Sequence, residues 1–479
     1  MEKFNLVVIG AGPGGYIAAI RAAQLGMKVA VVERDKPGGV CLNWGCIPSK
    51  AILKCAEIYE TFKHSENYGI KCGELSYDYS KVIEKSRKAS STLTKGVEFL
   101  LKKNKTTLFP GTGKLISPNR VGIIGNKNEK EIEAERILIA TGSVPRTLPG
   151  IEIDGRVVMT SDEAIFSKEI PESIVIIGGG YIGVEFAYIY NSFGSKVTIV
   201  EMESRILPGV DREVAEELEK NFKRNGMQIL TSTRFKELKK LDNSVEVTLE
   251  DSSGKGEKRV SASRLLVAVG RKAVYNTAPT SLSYYGNKSS DIGLKDLNIE
   301  ITKQGFIKVD SSFMTTCKNV YAIGDVIGPP LLAHKASDEG VVAVEIMAGD
   351  KNARMHYDRI PGCVYCQPEV ASIGITEDEA KERGIKFNVG KFPFKALGKA
   401  VAVGETEGFV KIISDAKSGE ILGTHIIGKG ATELIAEIGV AKTLESTPLE
   451  IGITPHAHPT LSEAVMEAAL AALGRARNV

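Results

Sequence analysis

Two cysteines five residues apart, Cys41 and Cys46, are the side chains in this sequence best suited to chemistry of their own. They stand in Gly38-Gly39-Val40-Cys41-Leu42-Asn43-Trp44-Gly45-Cys46-Ile47-Pro48-Ser49-Lys50. In a regular α-helix that spacing leaves the Cα atoms roughly 8 to 9 Å apart, beyond the roughly 7 Å over which a disulfide closes. Bridging therefore needs irregular backbone. Gly45 and Pro48 are placed to supply it, with helix expected to resume over Ser49 to Leu53. Two other readings of the same residues stay open: a buried, unbonded pair, and half of a zinc site completed by Cys363 and Cys366.

A second set of residues suits phosphates. Leu6 to Glu33, LVVIGAGPGGYIAAIRAAQLGMKVAVVE, and Ile174 to Glu201, IVIIGGGYIGVEFAYIYNSFGSKVTIVE, align without a gap over 28 residues. Each is an apolar β-branched run, a Gly-x-Gly-x-x-Gly turn, an amphipathic stretch and a second apolar run ending in glutamate, the pattern of a βαβ unit. Gly10, Gly12 and Gly15 fill the first turn; Gly178, Gly180 and Gly183 fill the second. The first glycine makes the tight turn, the second lets backbone approach a pyrophosphate, and the third lets helix lie close on strand, leaving the phosphates at the helix N-terminus. Glu33 and Glu201 each follow their last glycine by 18 residues, where a carboxylate accepts hydrogen bonds from ribose hydroxyls. A free 2′-hydroxyl suits glutamate, whereas a 2′-phosphate is repelled by it. The solitary Arg205 is expected to be a surface or helix-end charge, so the second site is expected to prefer NAD over NADP.

These sites need a large scaffold, and 479 residues accommodate three or four packed units. The 62 basic and 59 acidic residues leave a net charge of +3 without a basic tract, which argues against nucleic acid as a partner. No apolar run approaches the roughly 20 residues that span a bilayer, so no membrane partner is expected. The strand-like Phe4 to Ile9 begins almost at Met1, leaving no room for a cleavable leader, and a cytoplasmic location is expected. Seven cysteines, an odd number at irregular spacing, do not describe an extracellular disulfide framework, so any disulfide is expected to be catalytic.

With these residues in place, the chain closely resembles the pyridine nucleotide-disulfide oxidoreductases over nearly its full length. The likeness rests on the Cys41 to Lys50 segment, Ala140-Thr141-Gly142-Ser143, Val269-Gly270-Arg271, Ala322-Ile323-Gly324-Asp325, Leu332-Ala333-His334-Lys335 and His456-Ala457-His458-Pro459-Thr460-Leu461-Ser462-Glu463. The resemblance implies FAD in the first Rossmann site and NAD in the second. Contacts to FAD are then expected from Glu33, Lys50, Gly113, Thr141, Gly142, Ser143, Asp325, Leu332, Ala333 and His334. Glu185 is expected to pair with Lys50 near the nicotinamide, and Gly270 is a further cofactor position.

The same resemblance implies that Cys46 is the thiol against the flavin, Cys41 the interchange thiol, His458 the general base and Glu463 the carboxylate that orients it. A base is needed because thiolate, not thiol, attacks a disulfide, and a thiol of pKa about 8.5 is mostly protonated at neutral pH. The implied activity is oxidation of protein-bound dihydrolipoamide to lipoamide with reduction of NAD+. It implies a homodimer in which the histidine of one subunit completes the disulfide site of the other. Lipoyl domains of 2-oxo acid dehydrogenase complexes, or the glycine cleavage carrier protein, are the implied partners. The expected fold is α/β: two Rossmann-like FAD/NAD(P)-binding domains plus a C-terminal α+β dimerisation domain. The expected division is 1–150 for FAD, 151–280 for NAD, 281–353 as a central domain completing the FAD site, and 354–479 as the interface.

Three features depart from the family pattern. Tyr275 to Asp296 is longer and more serine-rich than the usual link, and is expected to be an exposed insertion. Cys366 stands where threonine is usual, making an unexpected Cys-x-x-Cys with Cys363 that is read as incidental. Trp44 occupies a variable slot and is assigned no catalytic role. His456 and His458 alone make a poor metal pair, and no metal is expected. His64, His356 and His425 are expected to be surface or structural residues. The rival readings are another disulfide reductase of the same family and a non-catalytic flavoprotein scaffold; the intact Cys41, Cys46, His458 and Glu463 speak against the scaffold.

Overall fold

The computed structural model describes residues 1–125, 129–252, 254, 256–276 and 291–478. The chain forms two compact units, each assembled from separated stretches. The first takes Met1–Ile52, Tyr77–Glu169 and Val269–Met355; the second takes Leu53–Ser76, Ile170–Ala268 and His356–Val479.

In the first unit Glu2–Ile9 is the central strand, parallel to Val29–Glu33 on one side and to Glu129–Ile139 on the other. Thr107–Pro110 extends one edge, and Arg120–Ile124 and Thr112–Ser117 extend the other as antiparallel strands. Val320–Ala322 also pairs with Glu129–Ile139, bringing a distant part of the chain to the same sheet. Leu6, Val7, Val8 and Ile9 are all buried, as a parallel strand covered on both faces requires. Leu6 and Val8 pack with Val31, Leu138 and Ile323 on one face, and Val7 and Ile9 with Val32, Ile137 and Ile139 on the other. Each such side chain contributes roughly 1.5–3 kcal/mol when fully buried, more than an exposed ion pair does. Helices Pro13–Gln24 and Ala333–Met347 lie against each other over the first of these faces.

The expected insertion at Tyr275 to Asp296 falls for its larger part, 277–290, outside the described residues. Its two ends meet in an antiparallel bridge between Asn276 and Asp291.

The second unit repeats the βαβ arrangement. Ser173–Ile177 runs parallel to Lys196–Val200 and Arg264–Val267, with Gln228–Leu230 beyond Lys196–Val200. Helix Tyr181–Ser192 follows the second glycine turn, and three antiparallel strands, Thr233–Lys240, Val245–Asp251 and Glu257–Ala262, form a small separate sheet. Its C-terminal part is an antiparallel sheet in the order Gly362–Val364, Glu369–Gly374, Ile421–Gly428, Phe409–Asp415 and Phe387–Pro393. Helices Ala431–Thr443 and Glu463–Ala472 pack on that sheet around Ile373, Val410, Ile426, Ile435 and Val465. The architecture is thus α/β, with two Rossmann-like units and a C-terminal α+β portion. Among the described residues no helix is long and apolar enough to cross a membrane.

Candidate active site

The two glycine turns fold alike down to single hydrogen bonds. A Cβ added at Gly15 would lie 2.0 Å from the Gly10 carbonyl oxygen, and one at Gly183 would lie 1.9 Å from that of Gly178, so only glycine fits either position. Helix Pro13–Gln24 starts from Gly12 and helix Tyr181–Ser192 from Gly180, neither with a side-chain cap nor an acidic residue in its first turn. By contrast, Asp78 caps helix Tyr79–Lys103 and Asp211 caps helix Arg212–Arg224. The first amides of the two glycine-turn helices are therefore left to an anion, and a Cβ at Gly12 or Gly180 would meet nothing within 4 Å. Open space before an uncapped helix N-terminus fits a dinucleotide pyrophosphate.

Each glutamate secures its own turn. Glu33 accepts the Ala11 amide at 2.6 Å on one oxygen and the Asp35 amide at 2.8 Å on the other. Glu201 accepts Gly179 at 2.7 Å and Glu203 at 2.8 Å in the same way. A carboxylate has about four acceptor positions, so each keeps capacity for ribose hydroxyls while also fixing the loop. Burial pushes Glu33 above the usual carboxylate range, against the pull of these two amides. Arg205 is 21% exposed, donates to the Pro208 carbonyl at 3.3 Å and lies 3.8 Å from Asp378. The segment that carries it folds back on the glycine turn, where the Leu207 amide donates to Gly179 at 2.9 Å.

Cys41 lies in the short helix Gly39–Asn43, and Cys46 begins the next helix, Cys46–Lys63. The break falls at Trp44 (φ −149°, ψ 22°), and at Gly45 a Cβ would crowd the Val40 carbonyl oxygen at 3.0 Å. The second helix thus starts three residues before the expected Ser49. Pro48 sits inside its first turn, where the missing N–H has no partner to lose. The break brings the two thiols into hydrogen-bonding contact. That hydrogen bond first, and burial second, raise the Cys41 thiol strongly against the opposing charge of Lys50. The N-terminus of the helix that Cys46 begins favours negative charge at that end of the pair.

Asn43 fastens this segment. Its buried side chain donates to the Pro37 and Gly39 carbonyls at 3.1 and 2.9 Å and accepts from Thr94 at 2.9 Å, while its own carbonyl takes a guanidinium N–H of Arg87. Nothing in the motif reading singled out Asn43, although it lies between the two cysteines.

Asp325 follows strand Val320–Ala322 in a tight turn, Gly324–Ile327. Its carboxylate accepts the Ser143 hydroxyl, and Arg271 grips Ser143 twice, Nε to Oγ at 2.7 Å and Nη2 to the carbonyl at 2.8 Å. Thr141 donates its hydroxyl to the Val274 carbonyl, and Gly142 takes a left-handed φ of +73°. Leu332 is the N-cap of helix Ala333–Met347, which places Ala333 and His334 at another helix start without a side-chain cap. Gly113 lies against Ile9. Arg271 belongs to the quoted motif, but its place behind Ser143 was not expected.

In the second unit His458 Nδ1 lies 3.0 Å from Glu463 Oε1, while Glu463 Oε2 accepts the Thr460 amide at 2.8 Å. Burial, the largest single influence, raises Glu463, but the Thr460 amide and His458 together outweigh it and hold the carboxyl below its ordinary value. The His458 side chain is 78% exposed. His456 has its own carboxylate, Glu437 at 2.8 Å, so the two histidines are held by separate partners. Glu185 is buried and accepts the Tyr365 amide at 3.1 Å, and Gly270 accepts the Arg146 amide at 2.9 Å. Cys366 is buried and donates to the Pro368 carbonyl at 3.4 Å. His425 is buried between Ser372 and the Ile375 carbonyl. Among the described residues no three His, Cys, Asp or Glu side chains are grouped to hold a metal ion.

Two dinucleotide cradles and a thiol pair poised across a helix break define a disulfide oxidoreductase working with a pyridine nucleotide. The chain belongs to the pyridine nucleotide-disulphide oxidoreductase family: residues 4–340 match that family's model and residues 360–469 match its dimerisation domain. It is 44% identical to a dihydrolipoyl dehydrogenase of Bacillus subtilis over 99% of both chains. It is 41% identical to the mitochondrial dihydrolipoyl dehydrogenase of Pisum sativum, over 98% of this chain and 91% of that one. Among solved structures the fold is that of LpdA from Mycobacterium tuberculosis, with a TM-score of 0.88 at 24% identity over 98% of this chain and 99% of that one. The HOCl-induced flavoprotein disulfide reductase RclA from Escherichia coli, as its Cu(II) complex, is similar with a TM-score of 0.84 at 25% identity, covering 98% of this chain and 99% of that one.

Proposed function

We propose that this protein oxidises protein-bound dihydrolipoamide to lipoamide and reduces NAD+, working as a homodimer that serves 2-oxo acid dehydrogenase or glycine cleavage complexes. The observation that carries the reading is the contact between Cys41 and Cys46 across the helix break, in a chain that also holds two uncapped dinucleotide cradles. Full-length identity to dihydrolipoyl dehydrogenases supports the choice of dithiol, and the carboxylate of Glu201 supports NAD over NADP. A cytoplasmic location, and the division at 1–150, 151–280, 281–353 and 354–479, belong to the same proposal.

In this mechanism His458 of one subunit removes a proton from the substrate dithiol beside Cys41 of the other, with Glu463 fixing the imidazole tautomer and stabilising its charged form. The substrate thiolate attacks Cys41, the Cys41–Cys46 disulfide opens, and Cys46 leaves as thiolate. The second substrate thiol then displaces Cys41, which takes up the proton that thiol gives up, while Cys46 carries the charge. Bound FAD would supply the two-electron chemistry that links the reduced pair to NAD+. Glu33, Lys50, Gly113, Thr141, Gly142, Ser143, Asp325, Leu332, Ala333 and His334 are assigned to hold FAD; Glu201 is assigned to the NAD ribose that carries the 2′-hydroxyl, Gly270 to the cofactor, and Glu185 to the nicotinamide side. The test is to compare NAD+ reduction by dihydrolipoamide with NADPH oxidation by glutathione disulfide on the purified yellow protein. Turnover in the first assay is expected, and turnover only in the second overturns the choice of substrate.

A further inference from the structure

We propose that the buried ion pair Lys335–Glu339 is a positioning device for the flavin, acting through the turn that carries Asp325. This rests on the reading of Asp325 as a flavin contact.

The two side chains are 1% and 0% exposed and meet at 3.0 Å. Withdrawing two charges from water costs more than their attraction returns unless every remaining proton and lone pair is used. Here the ammonium is fully used. Its three donors reach Glu339, the Gly324 carbonyl at 3.2 Å and the Gly328 carbonyl at 2.9 Å. The other oxygen of Glu339 accepts the Gly324 amide at 2.7 Å.

Both backbone polar groups of Gly324 are therefore held by the pair, as is the carbonyl at the far end of the turn. Gly324 sits at φ +77°, and Asp325 lies between the two clamped glycines. Local helix energetics do not account for the pair. Lys335 is the third residue of helix Ala333–Met347, where the helix dipole disfavours a cation, and lysine preceding glutamate by four is the weaker of the two orders. What the arrangement achieves is a fixed backbone at 324–328. With Ser143 and Arg271 holding the side chain of Asp325, its carboxylate is set before any ligand arrives.

The test compares FAD-reconstituted wild type, Glu339→Gln, and the double variant Lys335→Met with Glu339→Leu. An apolar pair of similar volume often replaces a buried ion pair without loss of stability, so the double variant is expected to fold. Flavin release is followed by recovery of free-flavin fluorescence on dilution, and urea unfolding of the flavin-free chain is measured alongside. The double variant leaves the Gly324 amide and the Gly324 and Gly328 carbonyls without these partners, so some loss of flavin-free stability is expected, with flavin released about tenfold faster than that loss accounts for; that factor corresponds to one well-placed charge-assisted hydrogen bond. Glu339→Gln, which keeps one acceptor at that position, is expected to fall between. Release unchanged from wild type overturns the proposal, and so does a flavin-free double variant that unfolds or is destabilised in step with its flavin loss. Wild type that takes up no FAD overturns the reading of the cradle itself, before any substitution is compared.

Discussion

His458 and Glu463 form a closed pair in which one carboxylate oxygen meets the imidazole Nδ1 at 3.0 Å and the other is occupied by the Thr460 amide. The carboxylate is held from both sides, and in the proposed mechanism Nε2 of His458 is the nitrogen that faces the substrate. Replacing His458 with alanine is expected to lower dihydrolipoamide oxidation by about 10²- to 10⁴-fold, the usual contribution of a positioned base. Diaphorase activity with NADH and an artificial acceptor needs no such base and is expected to survive. Equal loss of both would mean that His458 acts on folding or cofactor binding instead.

Glu201 does two things at once. It offers a ribose acceptor, and it holds the Gly179 and Glu203 amides. Glu201→Ala is therefore expected to weaken NAD+ binding by about 1–3 kcal/mol, through the lost ribose contact and a loosened turn. It should weaken NADP+ less, because the repulsion of a 2′-phosphate disappears with the carboxylate. Dissociation constants for both nucleotides check this, and an unchanged ratio between them would refute the assignment.

Local patterns were legible and long-range contacts were not. The glycine spacing and the acid 18 residues on are set within one βαβ unit, and both copies fold with the same amide contacts to Glu33 and Glu201. The helix break at Gly45 was readable from glycine, but the start of the next helix at Cys46 was not, because proline is tolerated anywhere its N–H would be idle. Arg271 behind Ser143 depends on residues 128 positions apart, and Ser143 on Asp325 spans 182. The pairing of Arg271–Ala273 with Ser143–Pro145 makes the first contact and that of Val320–Ala322 with Glu129–Ile139 the second, and no local periodicity announces either.

Lys411 stands at the centre of a second charged cluster, within reach of Asp211, Glu213 and Glu377 at 3.1, 2.8 and 2.6 Å. Hydrogen bonds from Lys381 first, and from Lys411 next, bring Glu377 down from 4.5 to about 2. A depressed carboxyl contributes stability that is fully present above its unfolded value and lost as pH falls through its folded one, here between about 4.5 and about 2. Lys411→Met is expected to cost about 3–5 kcal/mol at pH 7, because Asp211 is left buried without its cation. It should also flatten the acid-side slope, since Glu377 returns toward its ordinary value. Urea midpoints at pH 7, 4.5 and 3 check both parts; a wild-type slope retained in the variant would rule out Lys411 as a cause of the shift.

Asn43 links the redox segment to helix Tyr79–Lys103 through Thr94 and closes the Gly39–Asn43 turn onto Pro37 and Gly39. Asn43→Ala removes three hydrogen bonds and leaves the Thr94 hydroxyl and two carbonyls to find other partners in a buried place. A loss of about 2–4 kcal/mol is expected on that ground alone. Because the same residue precedes the Trp44–Gly45 break, its loss should also loosen the distance between Cys41 and Cys46. The disulfide then forms less readily, and its reduction potential becomes more oxidising. Equilibration against glutathione redox buffers measures this, with Ser90→Ala, the loss of a buried hydroxyl on helix Tyr79–Lys103, as the stability control. A potential shifted equally by both substitutions would place the effect in general destabilisation; a shift confined to Asn43→Ala would place it in the geometry of the pair.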